Sequence, residues 1–311
     1  MNTTLAAAFL NYNTCAELLQ ALAHAGPALE GVNARLVVID NGSTDDSAVQ
    51  VHAKFPKAEV VELGANLGFA AAFNRLFDAV DASWYLLLNS DIMLPPGSVR
   101  RLLDTARSLP DLGLAGVALV RENGESQASY SSFPSLASEL LNRSLWRHLH
   151  DHGSPTEPFA VDSVIGAVML VPRSTIERVG GLDTRFFFYL EETDWCRRIT
   201  AAGLRVMHIP ALKVVHLQGR AANQRPLRAR IEFHRSRLVY FRTHHGAMQT
   251  AVLCAGTVAR LVINTLSHAL LVALTLGCVP KLRTKCGVYA GLLAWYVCGC
   301  PKGWGLRPEK E

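Results

Sequence analysis

Two glycine-rich phosphate-binding patterns are missing from this sequence. Neither the GxGxxG of dinucleotide-binding folds nor the GxxxxGK[ST] of P-loop proteins occurs in its 311 residues. Those loops bring a helix N-terminus to the phosphates of a nucleotide. Their absence excludes a dehydrogenase or NTPase of these types. If a diphosphate binds to this chain, another group has to neutralise its charge.

Paired cysteine spacings are absent as well. The seven cysteines form no CxxC pair, and Cys298 and Cys300 are too close together for an ordinary zinc knuckle. We read them as reduced thiols of a cytosolic protein. The first residues carry no basic region and only a short apolar run, which is not the pattern of a secretory signal.

Charge is scarce and unevenly placed. Charged residues make up 18% of the chain and hydrophobic residues 50%, which suits a large buried core and excludes long disordered tracts. Up to Gly246 the two signs balance at 24 residues each, so the net charge of +5 lies in the apolar tail. An apolar tail with flanking cations suggests an anionic membrane surface as partner. No basic-aromatic pattern supports nucleic acid.

Short apolar runs alternate with helical stretches in the first part of the chain. The runs that predict buried strands are 5–10, 35–39, 59–63 and 84–88, and the predicted helices are 16–25 and 69–80. This alternation predicts a parallel α/β sheet, which binds ligands at the carboxyl ends of its strands. The polar residues at those ends are Asn11, Asn13, Asp40, Asn66, Asn89 and Asp91.

The middle of the chain is less regular. We expect strands at 114–120 and 163–171, then two short strands that end at His208 and His216. A helix is expected near 135–150, and a basic helix at 228–244. Read alone, Asn89-Ser90-Asp91 is either a plain turn or a carboxylate site for Mg²⁺ or Mn²⁺ that bridges two phosphates.

An ordered set of short motifs resembles the GT-A domain of family 2 glycosyltransferases. Its members are Asn11–Asn13, Val38–Ser43, Asn66–Phe69, Leu87–Asp91, Gly181–Asp183, Phe186–Asp194, Gly203–Val206 and Val214–His216. Arg235–Arg242, followed by His244–Gly246, is similar to the closing helix of the rhamnosyltransferase-like branch. The resemblance implies a Rossmann-like α/β GT-A domain at residues 1–246, and an apolar helical tail at 247–311 that associates with membranes.

The resemblance also assigns a donor site and a metal site. Asp40 would hold the nucleoside of a nucleotide-diphospho-sugar, with Asn11, Asn13 and Asn66 as further contacts, although Asn66 could equally cap the next helix. Asn89 and Asp91 match the two ends of the DxD motif, so Asp91 would be the main ligand of Mn²⁺ or Mg²⁺. His216 matches the late histidine that completes the metal shell.

The acidic segment at Glu191–Asp194 contains the expected general base. By resemblance the base is Glu192, where many relatives have Asp, and its position implies inversion at the anomeric carbon. The alternative is that these acids only stabilise the helix, because negative side chains interact favourably with the dipole at a helix N-terminus. Smaller roles are assigned to Arg220 and Arg225 as a phosphate clamp, to Gly166-Ala167 as a floor under the sugar, and to His208 as a structural histidine.

The tail contains a stretch of 19 residues, Leu261–Val279, without Lys, Arg, Asp or Glu. This is near the length of about 20 residues that a spanning helix needs. A narrow polar stripe and the cations Lys281, Arg283 and Lys285 favour two helices lying in the cytoplasmic membrane interface. A buried bundle packed on the catalytic domain is the alternative.

Three functions remain open on the sequence. The first is an inverting, metal-dependent transferase that moves a sugar, such as rhamnose from dTDP-rhamnose, to a saccharide or lipid-linked saccharide of a cell-surface polysaccharide. The second is a sugar-nucleotide nucleotidyltransferase, which usually begins with a glycine-rich, basic phosphate loop that this chain lacks. The third is a non-catalytic membrane scaffold, against which Asp91, Glu192 and His216 argue.

Overall fold

The computed structural model describes residues 3–141, 155–217 and 226–307. They form two compact units. The first contains 3–133, 155–187 and 191–217; the second contains 134–141, 188–190 and 226–307. The boundary expected after Gly246 differs from this division, because the preceding helix, Pro226–His244, belongs to the second unit.

A nine-stranded sheet forms the core of the first unit. Its strands are β1 (Thr3–Asn11), β2 (Ala34–Asp40), β3 (Glu59–Glu62), β4 (Ala82–Asn89), β5 (Ile92–Met93), β6 (Leu112–Val120), β8 (Phe159–Ala160), β10 (Val168–Pro172) and β11 (Arg205–His216), while β7 (Tyr130–Ser131) and β9 (Ser163–Val164) form a separate pair. The spatial order is β3-β2-β1-β4-β10-β6-β11-β5, with β8 beside β11.

The four strands predicted first form the parallel half of this sheet. β1 pairs with β2 and with β4, and β2 pairs with β3, all in parallel. Residues 5–9 of β1 and 86–88 of β4 are completely buried, as expected of strands covered on both faces. The small side chains of Ala6, Ala7 and Ala8 contribute to this covered centre.

The other half of the sheet corrects three expectations. The sheet is mixed, because β10 runs antiparallel to β4 and β6. The single strand expected at 163–171 is broken into β9, which pairs with β7, and β10, which pairs with β4 and β6. The two short strands expected before His208 and His216 are one strand, β11, with an irregularity between Ile209 and Lys213.

Helices cover the sheet through apolar stripes. In the first unit they are α1 (Cys15–Ala28), α2 (Ser47–Lys54), α3 (Phe69–Ala79), α4 (Ser98–Ser108), α6 (Arg173–Val179) and α7 (Glu191–Ala201), with α5 (Leu136–Leu140) in the second unit. The stripe of α4 shows the helical period: Val99, Leu102, Leu103 and Ala106 are buried.

The second unit is helical in the part that the structure describes. Besides α5 it contains α8 (Pro226–His244), α9 (Gly246–Leu274), α10 (Pro280–Val297) and a short 3-10 turn at Lys302–Trp304. A buried arginine on α8, Arg237, donates to Glu139 of α5 at 3.0 Å and to Thr257 of α9 at 2.9 Å. These charge-assisted bonds explain why α8 groups with the C-terminal helices.

Candidate active site

The predicted strand-end residues lie side by side at one edge of the sheet. Asn11, Asp40 and Asn89 are the last residues of β1, β2 and β4. Asn11 is in register with Asp40, and the neighbouring Leu10 with Asn89. Parallel strands end at a common edge, so this part of the site follows directly from the sheet topology.

A buried amide holds the carboxylate of Asp40. The Nδ2 of Asn11 donates to Asp40 Oδ1 at 3.1 Å and to Ser43 Oγ at 3.0 Å, and the backbone amide of Ser43 donates to Asp40 Oδ2 at 3.0 Å. Asn11 and Asp40 are both buried. Both oxygens of Asp40 therefore have a fixed direction, with lone pairs left over for another donor.

Asn13 lies at the exposed rim of the same loop. It has a positive φ of 53°, and its side-chain oxygen accepts the amide of Thr44 at 2.7 Å. The backbone amide of Asn13 donates to Ser43 Oγ at 3.0 Å. Asparagine tolerates this left-handed backbone better than most residues. The side-chain amide group of Asn13 thus stands beside the loop that holds Asp40.

Asn66 belongs to a second loop that closes over the first. Its Oδ1 accepts from Asn41 Nδ2 and from the amide of Gly68, each at 3.0 Å. The N-cap of α3 is Gly68, so Asn66 is not itself the N-cap residue, although its side chain accepts the backbone amide of Gly68. Gly68 has a φ of +84°, and a Cβ there would lie 2.5 Å from the carbonyl oxygen of Phe187.

Asp91 and His216 meet across two paired strands. Asp91 Oδ1 lies 3.4 Å from His216 Nε2, and both side chains are largely buried. β5 begins just after Asp91 and pairs with the end of β11, where His216 is opposite Ile92. A backbone bond from the amide of Leu217 to the carbonyl of Asp91, at 3.1 Å, closes this corner.

Gln127 sets the orientation of the His216 ring. Its Nε2 donates to the carbonyl of His216 at 2.7 Å, which identifies the other amide atom, 3.1 Å from His216 Nδ1, as the acceptor Oε1. His216 Nδ1 must therefore carry a proton. In the neutral ring the lone pair is then on Nε2, the atom that faces Asp91.

This arrangement fits a divalent metal ion. A carboxylate oxygen and an imidazole lone pair face each other, and a histidine ligand normally donates its other nitrogen to an acceptor, as His216 does. Among the described residues no group of three or more His, Cys, Asp or Glu could hold a metal alone. Asp91 and His216 would supply two ligands, and diphosphate oxygens and water would complete the shell.

Glu192 lies in the first turn of α7, partly buried against Gly166. Burial raises the pKa of its carboxyl from 4.5 to about 7, although hydrogen bonds with the backbone of Glu192, Thr193 and Gly166 oppose the rise. A carboxylate with a pKa near neutrality is suited to proton transfer. A Cβ on Gly166 would lie 3.5 Å from Glu192 Cγ, an ordinary contact, so the floor role of Gly166 stays a prediction.

The neighbouring acids differ from Glu192. Asp194 is fully buried, and its Oδ2 accepts from Arg198 Nε at 2.8 Å. Arg198 in turn donates to the carbonyls of Val179 and Gly181 at 3.2 and 2.9 Å. Asp194 therefore orients Arg198, and Arg198 holds the loop that follows α6. Glu191 is buried too, and the resemblance assigns the role of base to neither residue.

His208 lies away from these groups in an aromatic cluster. Its ring centroid is 4.9 Å from that of Tyr130 and 5.2 Å from that of Phe159. Burial lowers its pKa from 6.5 to about 4. A neutral, packed histidine agrees with the structural role expected for it. Arg220 and Arg225, the expected clamp, lie outside the described residues.

A continuous path of contacts joins the site residues. Thr14 Oγ1 donates to Asn11 Oδ1 at 2.8 Å and lies 2.7 Å from Ser90 Oγ, the neighbour of Asp91. On the other side, the amide of Asn89 donates to the carbonyl of Ala167, which adjoins Gly166 and hence Glu192. Sequence reasoning missed Thr14, Ser90 and Gln127. Gln127 gave no signal, since it is 89 residues from His216.

The fold and this row of strand-end groups define an α/β transferase of the GT-A fold. The family model of glycosyl transferase family 2 matches residues 8–179, more than half of the chain, and the chain belongs to that family. It is therefore a glycosyltransferase, as its sequence motifs predicted.

Named relatives support the predicted branch. The chain is 28% identical over 239 residues to the N-acetylglucosaminyl-diphospho-decaprenol L-rhamnosyltransferase of Mycobacterium tuberculosis, covering 70% of this chain and 78% of the relative. It is 25% identical over 222 residues to the dTDP-rhamnosyl transferase RfbF of Shigella flexneri, covering 70% and 71%.

A solved structure supports the fold. The mannosyltransferase PcManGT from Pyrobaculum calidifontis, in complex with GDP-Man and Mn²⁺, has a TM-score of 0.54 at 17% identity, covering 94% of this chain and 86% of that one. At this identity the likeness is evidence for the fold alone.

Proposed function

We propose that this chain is an inverting, metal-dependent glycosyltransferase that transfers rhamnose from dTDP-rhamnose to a lipid-linked saccharide of a cell-surface polysaccharide. The contacts that lead from Asp40 to Ser90 beside the Asp91–His216 pair, and from Asn89 through Ala167 and Gly166 to Glu192, are the observation that carries the proposal. These contacts support a site in which Asp40 would accept a hydrogen bond from the nucleoside, Asp91 and His216 would bind a metal ion, and Glu192 would be a base of suitable pKa. The names of the two rhamnosyltransferase relatives support the sugar and the acceptor class.

The donor loop would hold the nucleoside. Asp40 keeps lone pairs for an imide or ribose proton, while Asn13 and Asn66 stand at the rim of the two loops as further contacts. Asn11 is fully buried, and both protons of its amide are bound inside the protein. Its contribution to donor binding is therefore indirect, through the orientation of Asp40.

Asp91 and His216 would hold Mn²⁺ or Mg²⁺, with Asn89 at the near end of the same turn. A bound divalent ion offsets the negative charge that grows on the β-phosphate of the leaving group, which stabilises the transition state more than the ground state. Through its contact with His216 Nδ1, Gln127 would keep the lone pair of His216 Nε2 available to the ion. Imidazole in the ligand set favours Mn²⁺ over Mg²⁺.

Glu192 would activate the acceptor. Its carboxylate takes the proton of the acceptor hydroxyl as the oxygen forms its bond to the anomeric carbon. The bond between that carbon and the diphosphate oxygen breaks, and its electron pair leaves with the nucleoside diphosphate. Because acceptor and leaving group lie on opposite faces of the sugar, the configuration inverts.

The second unit would keep the enzyme on the cytoplasmic face of a membrane. α9 is the one described helix that is long and apolar enough to cross a membrane, and only a small part of it is buried. The cations Lys281, Arg283 and Lys285 follow it and are exposed. This surface argues against a bundle buried on all sides and supports an anionic lipid partner.

Nucleotide binding and turnover test the proposal together. In a thermal-shift panel with Mn²⁺, dTDP should stabilise the protein most, UDP less and GDP least. Purified enzyme should then hydrolyse dTDP-rhamnose slowly, and faster transfer should follow when a lipid-linked saccharide is added. Formation of dTDP-rhamnose from a sugar phosphate would indicate a nucleotidyltransferase. No turnover with any nucleotide sugar would indicate a scaffold.

A further inference from the structure

α9 and α10 form an antiparallel helical hairpin. The rings of His268 and Tyr289 are 5.0 Å apart. Further from the connecting loop, Arg237 Nη2 donates to both Thr257 at 2.9 Å and Tyr296 at 3.5 Å. Both pairs are almost symmetric in sequence about the loop at 275–279, as antiparallel helices require. The loop is therefore the tip of the hairpin, and Arg237 lies at its base.

Only the base of the hairpin is buried. The buried side chains of the two helices are Thr250, Leu253, Thr257, Leu261, Leu292 and Trp295. From Val262 to Gly291, a segment that the structure describes throughout, no residue is buried. The last 13 residues of α9, Val262–Leu274, span about 20 Å at 1.5 Å per residue. We call this half of the hairpin, Val262–Gly291, the tip half.

The surface of the tip half combines large apolar side chains with cations. Leu274 is 72% exposed and Leu276 is 89% exposed. Lys281, Arg283 and Lys285 follow on the first turns of α10, and the sequence has no Asp or Glu between Gly246 and Arg307. An exposed leucine cluster beside uncompensated cations is typical of a surface that binds anionic lipid.

Three hydroxyl groups of the tip half are bonded to the backbone of their own helix. Thr265, Ser267 and Thr275 each donate to a carbonyl four residues earlier, at 2.7, 2.7 and 2.8 Å. Side chains bonded to their own helix can enter a lipid environment without leaving a donor unsatisfied. The polar stripe seen in the sequence therefore does not oppose insertion at these positions.

We propose that the tip half enters an anionic lipid membrane end-on, with Leu274 and Leu276 in the upper acyl region and Lys281, Arg283 and Lys285 at the level of the phosphates. This rests on the proposed membrane association and specifies its surface. A projection of about 20 Å is shorter than the hydrocarbon core of about 30 Å, so the hairpin does not span. A second copy of the chain would meet the same cations with its own, which opposes pairing through the tip.

Paired substitutions test the tip against the base. Leu274→Gln with Leu276→Gln should weaken binding of the full-length protein to phosphatidylcholine–phosphatidylglycerol vesicles at least about tenfold. Met248→Gln with Val297→Gln is the matched control, because these base residues are 79% and 77% exposed. The control should bind like the wild type. Equal losses in both variants, or none in the first, would overturn the proposal.

Two native cysteines report the depth of each end. Cys278 is exposed at the tip and Cys298 is exposed just beyond the far end of α10. Variants that keep one or the other as the labelling site, carrying an environment-sensitive fluorophore, should show a blue shift at Cys278 and none at Cys298 when vesicles are added. Equal shifts would mean that the hairpin lies flat. Quenching of the Cys278 label by a quencher inside the vesicles would mean that the hairpin spans the membrane. A shift in emission that depends on protein concentration without vesicles would mean self-association. Each of these results overturns end-on insertion.

Substitution of the three cations is an independent test of the same proposal. Replacing Lys281, Arg283 and Lys285 by Gln should weaken vesicle binding by roughly fivefold per cation, and the effect should disappear with phosphatidylcholine alone. Donor hydrolysis without membranes should stay at the wild-type rate in every tip variant. Vesicle binding without sugar transfer would contradict the proposed enzyme and leave the tip intact, whereas transfer without tip-dependent binding would contradict only the tip.

Discussion

The Nε2 of His216 and the Oδ1 of Asp91 lie 3.4 Å apart, and Gln127 holds the opposite side of the imidazole ring. With the Nδ1 proton directed toward Gln127, the atoms that face each other are the Nε2 lone pair of the imidazole and a carboxylate oxygen, and both are acceptors. A divalent cation satisfies both at once. We therefore propose this pair as the metal-binding part of the site.

Removal of either ligand should weaken the metal site. Asp91→Ala removes the charged ligand, so we expect almost no transfer and loss of Mn²⁺-dependent nucleotide binding. His216→Ala keeps the carboxylate and should be severely impaired. Thermal shifts with dTDP, with and without Mn²⁺, measure the loss in each variant. Full activity of the wild type in excess EDTA would contradict the metal role.

Gln127 should matter for metal affinity without being a ligand. Gln127→Leu removes the acceptor for His216 Nδ1, and loss of such a partner typically weakens metal binding by about 10–100-fold. Gln127→Glu keeps an acceptor for that proton and should retain more affinity. Mn²⁺ titrations of nucleotide binding compare the two, and high Mn²⁺ should restore Gln127→Leu. Failure of both variants at all Mn²⁺ concentrations would indicate a folding defect instead.

The strand-end residues could be predicted because parallel strands place their carboxyl ends at one edge. That rule located Asn11, Asp40 and Asn89 from apolar patterns alone. Gln127 could not be predicted in this way, because only the folded sheet brings it to His216. The antiparallel β10 was missed for a similar reason, since a buried apolar run does not state its direction.

The backbone conformation of the two residues just before α7, the helix that contains Glu192, could not be predicted from the sequence either. Tyr189 and Leu190 both have left-handed conformations, with φ of 73° and 65°, although neither is glycine. Each such residue costs about 1–2 kcal/mol, so sequence propensity argues against the conformation. Strain of this kind is often found near functional sites, and here it comes immediately before α7. Tertiary contacts set this turn: Ser236 Oγ donates to the carbonyl of Phe188 at 2.8 Å.

Gly68 should be the more demanding of two left-handed glycines. Gly68→Ala forces a Cβ to within 2.5 Å of the Phe187 carbonyl, whereas a Cβ on Gly64 meets nothing within 4 Å. Both variants add backbone strain of about 1–2 kcal/mol. Only Gly68→Ala adds a clash, so its loss of unfolding free energy should exceed that of Gly64→Ala by about 1–3 kcal/mol. Denaturant melts measure this difference, and equal losses would refute the predicted contact.

The pKa of Glu192 predicts a pH dependence for transfer. Burial raises this pKa to about 7, and a general base acts only when it is ionised. Transfer should therefore increase up to about pH 7 and then level off, whereas an ordinary glutamate would already be ionised near pH 5. The sign for stability is opposite. The raised pKa favours the protonated fold, so this stabilisation is present below pH 4.5 and is lost as the pH rises through about 7.

Melting curves provide the check on that sign. Glu192→Gln keeps a neutral side chain, so its melting temperature should gain on that of the wild type as the pH rises from about 4.5 to about 7, and the gain should level off above pH 7. Two results together would mean that Glu192 is solvated in the native protein. One is a transfer rate with a midpoint near pH 4.5, and the other is a difference in melting temperature between wild type and Glu192→Gln that does not change with pH.

Glu192→Gln also tests the base itself. The change keeps the side-chain size and removes its ability to take a proton, while Asp40, Asp91 and His216 are untouched. Donor affinity should stay near the wild-type value, and turnover should fall by roughly 10²–10⁴-fold for loss of a general base. Isothermal titration with the nucleotide and steady-state transfer rates separate these two effects.

The neighbouring acids Glu191 and Asp194 provide the controls. The structure predicts that their variants lose stability more than turnover. Asp194→Asn weakens the buried pair with Arg198, so we expect a loss of about 2–4 kcal/mol in unfolding free energy, with turnover of the folded fraction less affected. Glu191→Gln shares the helix start and should lose less turnover than Glu192→Gln. If Glu192→Gln retained normal turnover while Glu191→Gln or Asp194→Asn abolished it without unfolding, the base would have to be reassigned to that residue. If all three variants were active, no acid of this segment would be the base, and inversion by a glutamate in α7 would lose its support.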